Sequence, residues 1–314
     1  MAQALGIQSL EDRILAGDLR ALARGATLVE AQAKSGRDLI ASLFPRTGHA
    51  KMIGVTGPPG AGKSTLVSEL TKVIRRRGKT VGIIAVDPSS PFSRGALLGD
   101  RIRMQDHHAD PGVFIRSMAT RGRLGGLACG TLDMALLLDA AGRDFVLIET
   151  VGVGQGEVEI SLLADVTVLV LMPAMGDDIQ ALKAGIMEIA GVFAINKADL
   201  PGVARLEQEI RAMQSLGDEA VRSEAAPVRH VIANQGQGIE ELLDVVEDVF
   251  GNRGPHARKD TWTFRLREML RERLDDSIPL EAVERHAELV AEKIEDPYTA
   301  TDALLGRAFK HNEK

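Results

Sequence analysis

The sequence predicts an α/β fold built on a doubly wound, mostly parallel β-sheet. From residue 52 onward, short apolar runs that end in Gly, Asp or Pro alternate with helical stretches, which is typical of a parallel sheet. The apolar runs are continuous rather than alternating, as expected when helices cover both faces of the sheet. The predicted strands are Met52–Thr56, Thr80–Val86, Val113–Arg116, Phe145–Glu149, Val166–Met172, Val192–Ile195 and Val228–Ile232.

Helical segments flank this sheet region at both ends of the chain. Apolar residues recur at helical spacing over residues 1–48, and a break at Phe44–Gly48 separates this N-terminal helical arm from the domain at 49–250. A polar linker then opens the C-terminal tail, residues 251–314, whose apolar pattern predicts two amphipathic helices. From the residues alone, the tail either packs on its own domain or forms a dimerisation arm.

The composition is that of an ordinary soluble globular protein. The 314 residues are 45% hydrophobic and 26% charged, and 38 Lys and Arg against 44 Asp and Glu give a net charge of −6. This acidic balance argues against a general binder of nucleic acid or membrane surfaces, which needs a basic face. The single cysteine, Cys129, excludes an intramolecular disulfide. We see neither an export signal nor a membrane-spanning run and expect a cytoplasmic protein.

The segment Gly57–Thr65 fits the phosphate-binding pattern G-x4-G-K-[ST], with an apolar strand before it and a helical stretch, Leu66–Arg76, after it. Glycines let successive backbone amides point at phosphate oxygens near the positive end of a helix. We expect Lys63 to reach the β- and γ-phosphates and the Ser64 hydroxyl to bind Mg²⁺. The candidate nucleotide-binding residues of this loop are Gly57, Pro58, Pro59, Gly60, Ala61, Gly62, Lys63, Ser64 and Thr65.

A second segment, Asn196-Lys197-Ala198-Asp199, follows a later apolar strand and predicts that the base is guanine. The Asp199 carboxylate can accept from both N1–H and the exocyclic amino group of guanine, a pair of donors that adenine lacks. Asn196 would brace the loop, and the stem of Lys197 would lie over the base. After the last strand, the backbone of Ala233 and Asn234 is a candidate contact for guanine O6, but an ordinary Gly-rich turn explains that segment equally well.

Several residues near predicted strand ends are candidates for metal binding or hydrolysis. Glu149 ends an apolar strand just before Gly152, a pattern similar to the D-x-x-G of GTPases with Glu in place of Asp. Glu149 would hold Mg²⁺, unless it merely caps the strand in solvent, and Gly152 would sense the γ-phosphate. Gln155 either positions the attacking water or belongs to a flexible glycine-rich switch. Asp87 and Asp100, on consecutive loops, are further candidate metal ligands.

Longer runs around these motifs resemble the MeaB/ArgK/MMAA family of P-loop GTPases, over about residues 10–250. The resemblance implies a Mg²⁺-dependent GTPase that serves as a chaperone of an adenosylcobalamin-dependent acyl-CoA mutase, typically methylmalonyl-CoA mutase. Such a protein gates cofactor loading and protects or reactivates the mutase, and it forms a homodimer through its C-terminal helices. The runs that carry the resemblance are Ala85–Ser90, Leu98–Met104, Phe114–Met118, Leu124–Leu127 and Glu149–Gln155.

The same resemblance implies roles for individual residues. It makes Ser64, Asp87, Asp100 and Glu149 the Mg²⁺ and catalytic set, alongside Lys63 and Gln155. Residues 176–183 are similar to an additional loop, switch III, that reports the nucleotide state to the mutase, although an exposed charged loop entering a helix is the alternative. Its candidate residues are Asp177, Asp178, Gln180 and Lys183. The chain departs from the family at Ile232, where relatives often carry Ser.

Two other functions are alternatives. A GTP-dependent metallochaperone needs clustered thiolate or imidazole ligands, and the chain offers one Cys and the adjacent pair His107-His108 as its only obvious imidazole cluster. A small-molecule kinase, such as an amino-acid transport protein kinase, would transfer phosphate to an acceptor other than water. The segment Asn196–Asp199 argues against the use of ATP.

Overall fold

The computed structural model describes residues 2–87, 107, 109–119, 126–150, 160, 163–173, 190–215, 225–252 and 255–311. Within these residues the chain forms a seven-stranded sheet in which every pairing is parallel. The strands are β1 (Lys51–Thr56), β2 (Val81–Asp87), β3 (Val113–Ala119), β4 (Phe145–Thr150), β5 (Val166–Leu171), β6 (Val192–Ile195) and β7 (Val228–His230). Their spatial order is β3-β2-β4-β1-β5-β6-β7. The predicted α/β fold is therefore confirmed.

Among the described residues, helices alternate with the strands and also occupy both ends of the chain. The helices are α1 (Ala2–Leu15), α2 (Leu19–Glu30), α3 (Lys34–Leu43), α4 (Lys63–Arg76), α5 (Gly126–Ala140), α6 (Val203–Ser215), α7 (Ile239–Gly251), α8 (Pro255–Ser277), α9 (Leu280–Ala291) and α10 (Pro297–His311). Short 3-10 turns lie at Phe44–Arg46 and Ala233–Gln235.

Two strands have an end that differs from the prediction by more than one residue. β3 continues to Ala119 because it pairs with β2 along its whole length, up to Asp87 opposite Ala119. β7 stops at His230 because Ile232 instead pairs with Gln237 across the following turn. Strand length here is set by the available partner and less by the apolar run itself.

The main core lies between one face of the sheet and helices α4 and α7. α4 contributes Leu66, Leu70 and Ile74, which recur every fourth residue and are fully buried. They pack in one cluster with Val55 of β1 and Leu242 of α7. This burial fixes the helix that follows the phosphate loop against the strand that precedes it.

The N-terminal arm packs on helix α5, and α2 also contacts β3. The carboxylate of Asp18 caps α2 by accepting from the amides of Arg20 and Ala21 at 2.8 and 3.1 Å. At the exit of the arm, the buried carboxylate of Asp139 in α5 accepts from the amides of residues 48, 49 and 50 at 2.5, 3.1 and 2.9 Å. Residues 1–258 form one compact unit that includes both arm and sheet. The domain boundaries at 48 and 250 stay predictions.

Residues 259–314 form a second compact unit. It contains a helix that the sequence analysis did not predict, α10, which follows a cap by Asp296 on the amides of Tyr298 and Thr299 at 2.9 and 3.1 Å. α9 packs on α10, and the imidazole of His286 lies 2.6 Å from a carboxylate oxygen of Glu295. Dimerisation through this unit stays a prediction. In the described part of the chain, no helix has the length and apolar character needed to cross a membrane.

Candidate nucleotide-binding site

The candidate site lies at the carboxyl end of β1. This strand pairs with β4 on one side and β5 on the other, so the chain connections diverge there. In an open parallel sheet, such a point of reversal leaves a crevice beyond the strand ends, where ligands bind. The predicted phosphate loop follows β1 directly, and α4 starts at Lys63, inside the motif and three residues earlier than predicted.

Three glycines of the loop have left-handed backbone conformations. Gly57 has a φ of 139°, and a Cβ there would collide with the backbone carbonyl of Val170 in β5. Gly62 has a φ of 90° at the N-terminus of α4, and its Cβ position is blocked by the side-chain amide of Asn196. Gly60 has a φ of 78° and faces open space. These positions need glycine because side chains disfavour this conformation, and two of them lack room for any side chain.

Lys63 is folded back over the loop. Its ammonium group donates to the carbonyl oxygens of Gly57 and Pro58 at 2.7 and 2.9 Å, and the residue is only 6% exposed. The helix N-terminus beside it adds partial positive charge, because the first amides of a helix have no partner within the helix. This arrangement favours an anionic ligand at the loop.

An open cleft of about 470 Å³ joins the predicted motifs. This volume lies within the range of small-molecule sites. The cleft borders the phosphate loop, the ends of β2 and β4, and the predicted guanine motif. Its lining residues are Pro59, Gly60, Gly62, Lys63, Ser64, Thr65, Ala85, Val86, Glu149, Thr150 and Lys197.

Ser64 and Glu149 meet at the wall of this cleft. The Ser64 hydroxyl donates to a carboxylate oxygen of Glu149 at 2.5 Å, and Glu149 is only 5% exposed. Glu149 is therefore buried beside α4 instead of capping its strand in solvent. Next to it, the hydroxyl of Thr150 donates to that of Thr56 at 3.0 Å, which ties the ends of β4 and β1 together. A hydroxyl and a carboxylate are hard oxygen donors, so this pair fits Mg²⁺.

Asn196 connects the predicted base motif to the phosphate loop. Its side-chain amide donates to the carbonyl of Ala61 at 2.8 Å, and its side-chain oxygen accepts from the amides of Lys197 and Ala233 at 2.8 and 3.0 Å. The residue is only 3% exposed. One side chain thus joins three segments, and the predicted bracing role of Asn196 agrees with this geometry.

The other residues of the base motif are more open. Lys197 has a positive φ of 56°, and its ammonium group donates to the carbonyl of Gly60 at 2.9 Å. Asp199 is exposed and lies in the turn that follows. Ala233 is buried and begins a 3-10 turn, whereas Asn234 is exposed. The structure therefore brings both loops of the predicted guanine pocket to the same edge of the sheet.

Some predicted residues lie outside the described part of the chain. Asp87 ends β2, but its side chain is not described. The others outside the described residues are Asp100, Gly152, Gln155, Asp177, Asp178, Gln180 and Lys183. Their roles stay predictions. Among the described residues, no group of three or more His, Cys, Asp or Glu side chains is arranged to hold a metal ion.

A buried polar pair that was not predicted from the sequence lies on α4. The Ser68 hydroxyl and Nε2 of His107 are joined by a hydrogen bond of 2.9 Å. Further down α4, Arg75 donates two hydrogen bonds to Asp110, at 2.8 and 3.0 Å, and this contact, followed by the amide of Gly112, holds the pKa of the Asp110 carboxyl below its ordinary value. Ser68 follows Ser64 at helical spacing, so a periodicity argument could have placed it on the same face.

A parallel sheet with a phosphate loop at its point of reversal, tied by Asn196 to an N-K-x-D motif, defines a protein of the P-loop GTPase class. Within that class, the chain belongs to the MeaB family: the family model described as "Methylmalonyl Co-A mutase-associated GTPase MeaB" matches residues 22–281. The resemblance found in the sequence is thereby confirmed.

Individual relatives agree with this assignment. A Pyrococcus abyssi protein with the provisional name of GTPase is 45% identical over 317 residues, covering 95% of this chain and 96% of that protein. The mouse protein named "Methylmalonic aciduria type A homolog, mitochondrial" is 34% identical over 259 residues, covering 77% of this chain and 62% of its own length. A solved structure titled "Crystal structure of LAO/AO transport system kinase" has a TM-score of 0.72 at 25% identity, covering 95% of this chain and 96% of that one.

Proposed function

We propose that this protein is a cytoplasmic, Mg²⁺-dependent GTPase that acts as a chaperone of an adenosylcobalamin-dependent acyl-CoA mutase, methylmalonyl-CoA mutase or a close relative. The observation that carries the GTPase part is the link from Asn196 to Ala61, which joins a phosphate loop to a guanine motif around one cleft. The mutase part is supported by the family description, which names methylmalonyl-CoA mutase.

Nucleotide binding uses charges that are already in position. The amides of the phosphate loop and the ammonium group of Lys63 bind the phosphates, while Asp199 accepts from the guanine edge. The ammonium group of Lys197 donates a hydrogen bond to the carbonyl of Gly60, so the stem of Lys197 would border the space between base and phosphates. Because the loop carbonyls and the helix N-terminus fix these groups before the ligand arrives, little reorganisation is needed on binding.

Ser64 and Glu149 would hold Mg²⁺, which supplies positive charge against the β- and γ-phosphates when bound. Asp87 and Asp100 complete the proposed set. In hydrolysis, the oxygen of a water molecule forms a bond to the γ-phosphorus, and the bond to the bridging oxygen of GDP breaks. We assign Gln155 to orient that water, and Lys63 to stabilise the charge that develops on the leaving oxygen.

Partner control would act through the segments that change with the γ-phosphate. Gly152 would sense the phosphate, and switch III, with Asp177, Asp178, Gln180 and Lys183, would report its loss to the mutase. The C-terminal unit would pair two copies of the chain. Exposed apolar side chains in that unit support the last point; they are Leu266, Leu270, Leu280, Ile294 and Tyr298.

The experiment is to measure GTP hydrolysis by the pure protein with Mg²⁺ or with EDTA, and with or without recombinant methylmalonyl-CoA mutase. We expect slow release of inorganic phosphate that requires Mg²⁺ and rises at least about tenfold when the mutase is added, as partner-activated GTPases do. Lys63→Ala should abolish the release. Unchanged turnover with methylmalonyl-CoA mutase and with its isobutyryl- and hydroxyisobutyryl-type relatives would contradict the chaperone role and leave a GTPase with another partner.

A further inference from the structure

The buried pair of Ser68 and His107 has no part in the proposed chemistry. Ser68 is only 8% exposed and His107 only 5%, so both side chains are removed from solvent at a hydrogen-bonding distance of 2.9 Å. A buried hydroxyl and a buried imidazole each need a partner, because leaving either one unpaired is unfavourable. The pair therefore forms a specific contact between helix α4 and the segment that leads into β3.

The position of this pair on α4 connects it to the candidate metal site. On a helix with 3.6 residues per turn, Ser64, Ser68 and Arg75 point within about 40° of one another. The top of this stripe carries Ser64, which bonds to Glu149. Its lower part carries Ser68 and Arg75, which bond to His107 and Asp110. One face of α4 therefore holds the candidate Mg²⁺ ligand at one end and the β2–β3 connection at the other.

Ser68 and Arg75 are about 10 Å apart along α4. The amide of Asp110 donates to the carbonyl of His107 at 3.2 Å, so this segment turns back instead of extending along the helix, and the long side chain of Arg75 reaches Asp110. Both hydrogen-bonded pairs join α4 to the segment before β3, but they differ in solvent exposure. The lower one, Arg75 with Asp110, is partly open to solvent, and the upper one is buried and lies one helical turn from Ser64.

We propose, on the basis of the proposed function, that His107 is a positioning residue of the Mg²⁺ site. Through Ser68 it holds the first turns of α4 in the register that places the Ser64 hydroxyl beside Glu149. Loss of a direct hydrogen-bond partner of a metal ligand lowers metal affinity by about 10- to 100-fold. His107 and Ser68 act one helical turn away from the ligand Ser64, so we expect an effect at the lower end of this range. The contact with the metal itself remains with Ser64 and Glu149.

The test measures GDP binding by fluorescence as a function of Mg²⁺, with thermal unfolding recorded for every variant. In His107→Leu and in Ser68→Ala we expect the Mg²⁺ concentration at half-saturation to rise about tenfold. GDP affinity in EDTA should stay within about threefold of wild type, because the amides of the phosphate loop are retained. The double variant should show no larger shift than either single one, since both changes remove the same contact.

Two further variants distinguish a specific positioning role of His107 from a general loss of rigidity in this part of the fold. His107→Gln, whose terminal amide can reach the Ser68 hydroxyl, should recover a Mg²⁺ requirement near that of wild type. Asp110→Asn weakens the hydrogen bonds to Arg75 and should leave the Mg²⁺ requirement unchanged.

A folded His107→Leu with a wild-type Mg²⁺ requirement would overturn the proposal, as would an equal shift in Asp110→Asn. If His107→Leu does not fold, the smaller change Ser68→Ala tests the proposal instead, and a wild-type Mg²⁺ requirement in that variant would overturn it. Absence of GDP binding in the wild-type protein would instead overturn the proposed function itself, and this proposal with it.

Discussion

The side-chain amide of Asn196 donates to the backbone carbonyl of Ala61 across a sequence separation of 135 residues, at 2.8 Å. Through this bond, the segment that would read the base also supports the loop that would hold the phosphates. The oxygen of the same side chain accepts from the amide of Ala233 in the loop after β7. The hydrogen bonds of one side chain therefore link the candidate base and phosphate sites before any nucleotide binds.

This connection predicts that Asn196→Ala weakens binding of the whole nucleotide. The change leaves a carbonyl and an amide unpaired in a buried position, which costs about 1–3 kcal/mol for each group. We expect at least a tenfold loss of GDP affinity and a lower melting temperature. Calorimetry and thermal unfolding measure the two effects. Asn234→Ala, at an exposed position in the loop after β7, is the matched control and should keep its stability; a wild-type result for Asn196→Ala would refute the bracing role.

Gly62→Ala tests the same contact from the other side. The new methyl group would meet the side-chain amide of Asn196 and would force a φ of 90° on an alanine. Gly78→Ala also places alanine at a positive φ, 73°, but in open space at the far end of α4. Both variants should lose about 1 kcal/mol or more of stability from the backbone alone. Only Gly62→Ala should also lose nucleotide binding, and equal affinities in the two variants would contradict the assigned contact.

Asp199→Asn should change the base that the protein prefers. The substitution replaces an acceptor by an amide donor, so the amino group of guanine loses its partner, whereas the carbonyl oxygen at that position of xanthine gains one. We expect GTP affinity to fall at least about 100-fold and xanthosine triphosphate to bind better than GTP. Because Asp199 is exposed, the melting temperature should not change. Retained guanine preference would remove the assigned base contact.

Asp110→Asn should make stability less dependent on pH in acid. Arg75, followed by the amide of Gly112, holds the pKa of Asp110 below its ordinary value of 3.8. A carboxyl with a lowered pKa stabilises the fold above its ordinary pKa, and this contribution is lost as the pH falls through the lowered value. The pair is partly exposed, so the difference at about pH 7 should be below about 1 kcal/mol. Urea unfolding at about pH 7 and about pH 3 should show the difference shrinking towards acid; a constant difference would contradict the prediction.

The sequence allowed prediction of those parts of the site that depend on local pattern. Gly57–Thr65 was expected between a strand and a helix; in the structure it follows β1 directly, and its last three residues already belong to the first turn of α4. Glu149 was expected at a strand end, and the family resemblance grouped it with Ser64. Their hydrogen bond depends on strand β4 lying beside β1, which no local pattern specifies. Long-range partners were not predictable for the same reason.

Two misses have identifiable causes. His107 was considered only with its neighbour His108 as a metal ligand, because adjacent imidazoles suggest one; its true partner, Ser68, is on another element. Helix α10 was not predicted because only two helices were inferred for the tail. Its sequence does carry the signals of a helix: apolar residues recur at Ala300, Leu304 and Ala308, and Asp296 before Pro297 is a recognisable start signal.

The central claim is that these loops bind a guanine nucleotide together with Mg²⁺. Titration calorimetry of the folded wild-type protein with GDP, with Mg²⁺ and then with EDTA, tests it most directly. We predict saturable binding of GDP that is tighter with Mg²⁺, and no binding of ADP. No heat with either GDP or GTP in the presence of Mg²⁺, or equal affinity for ADP, would contradict it.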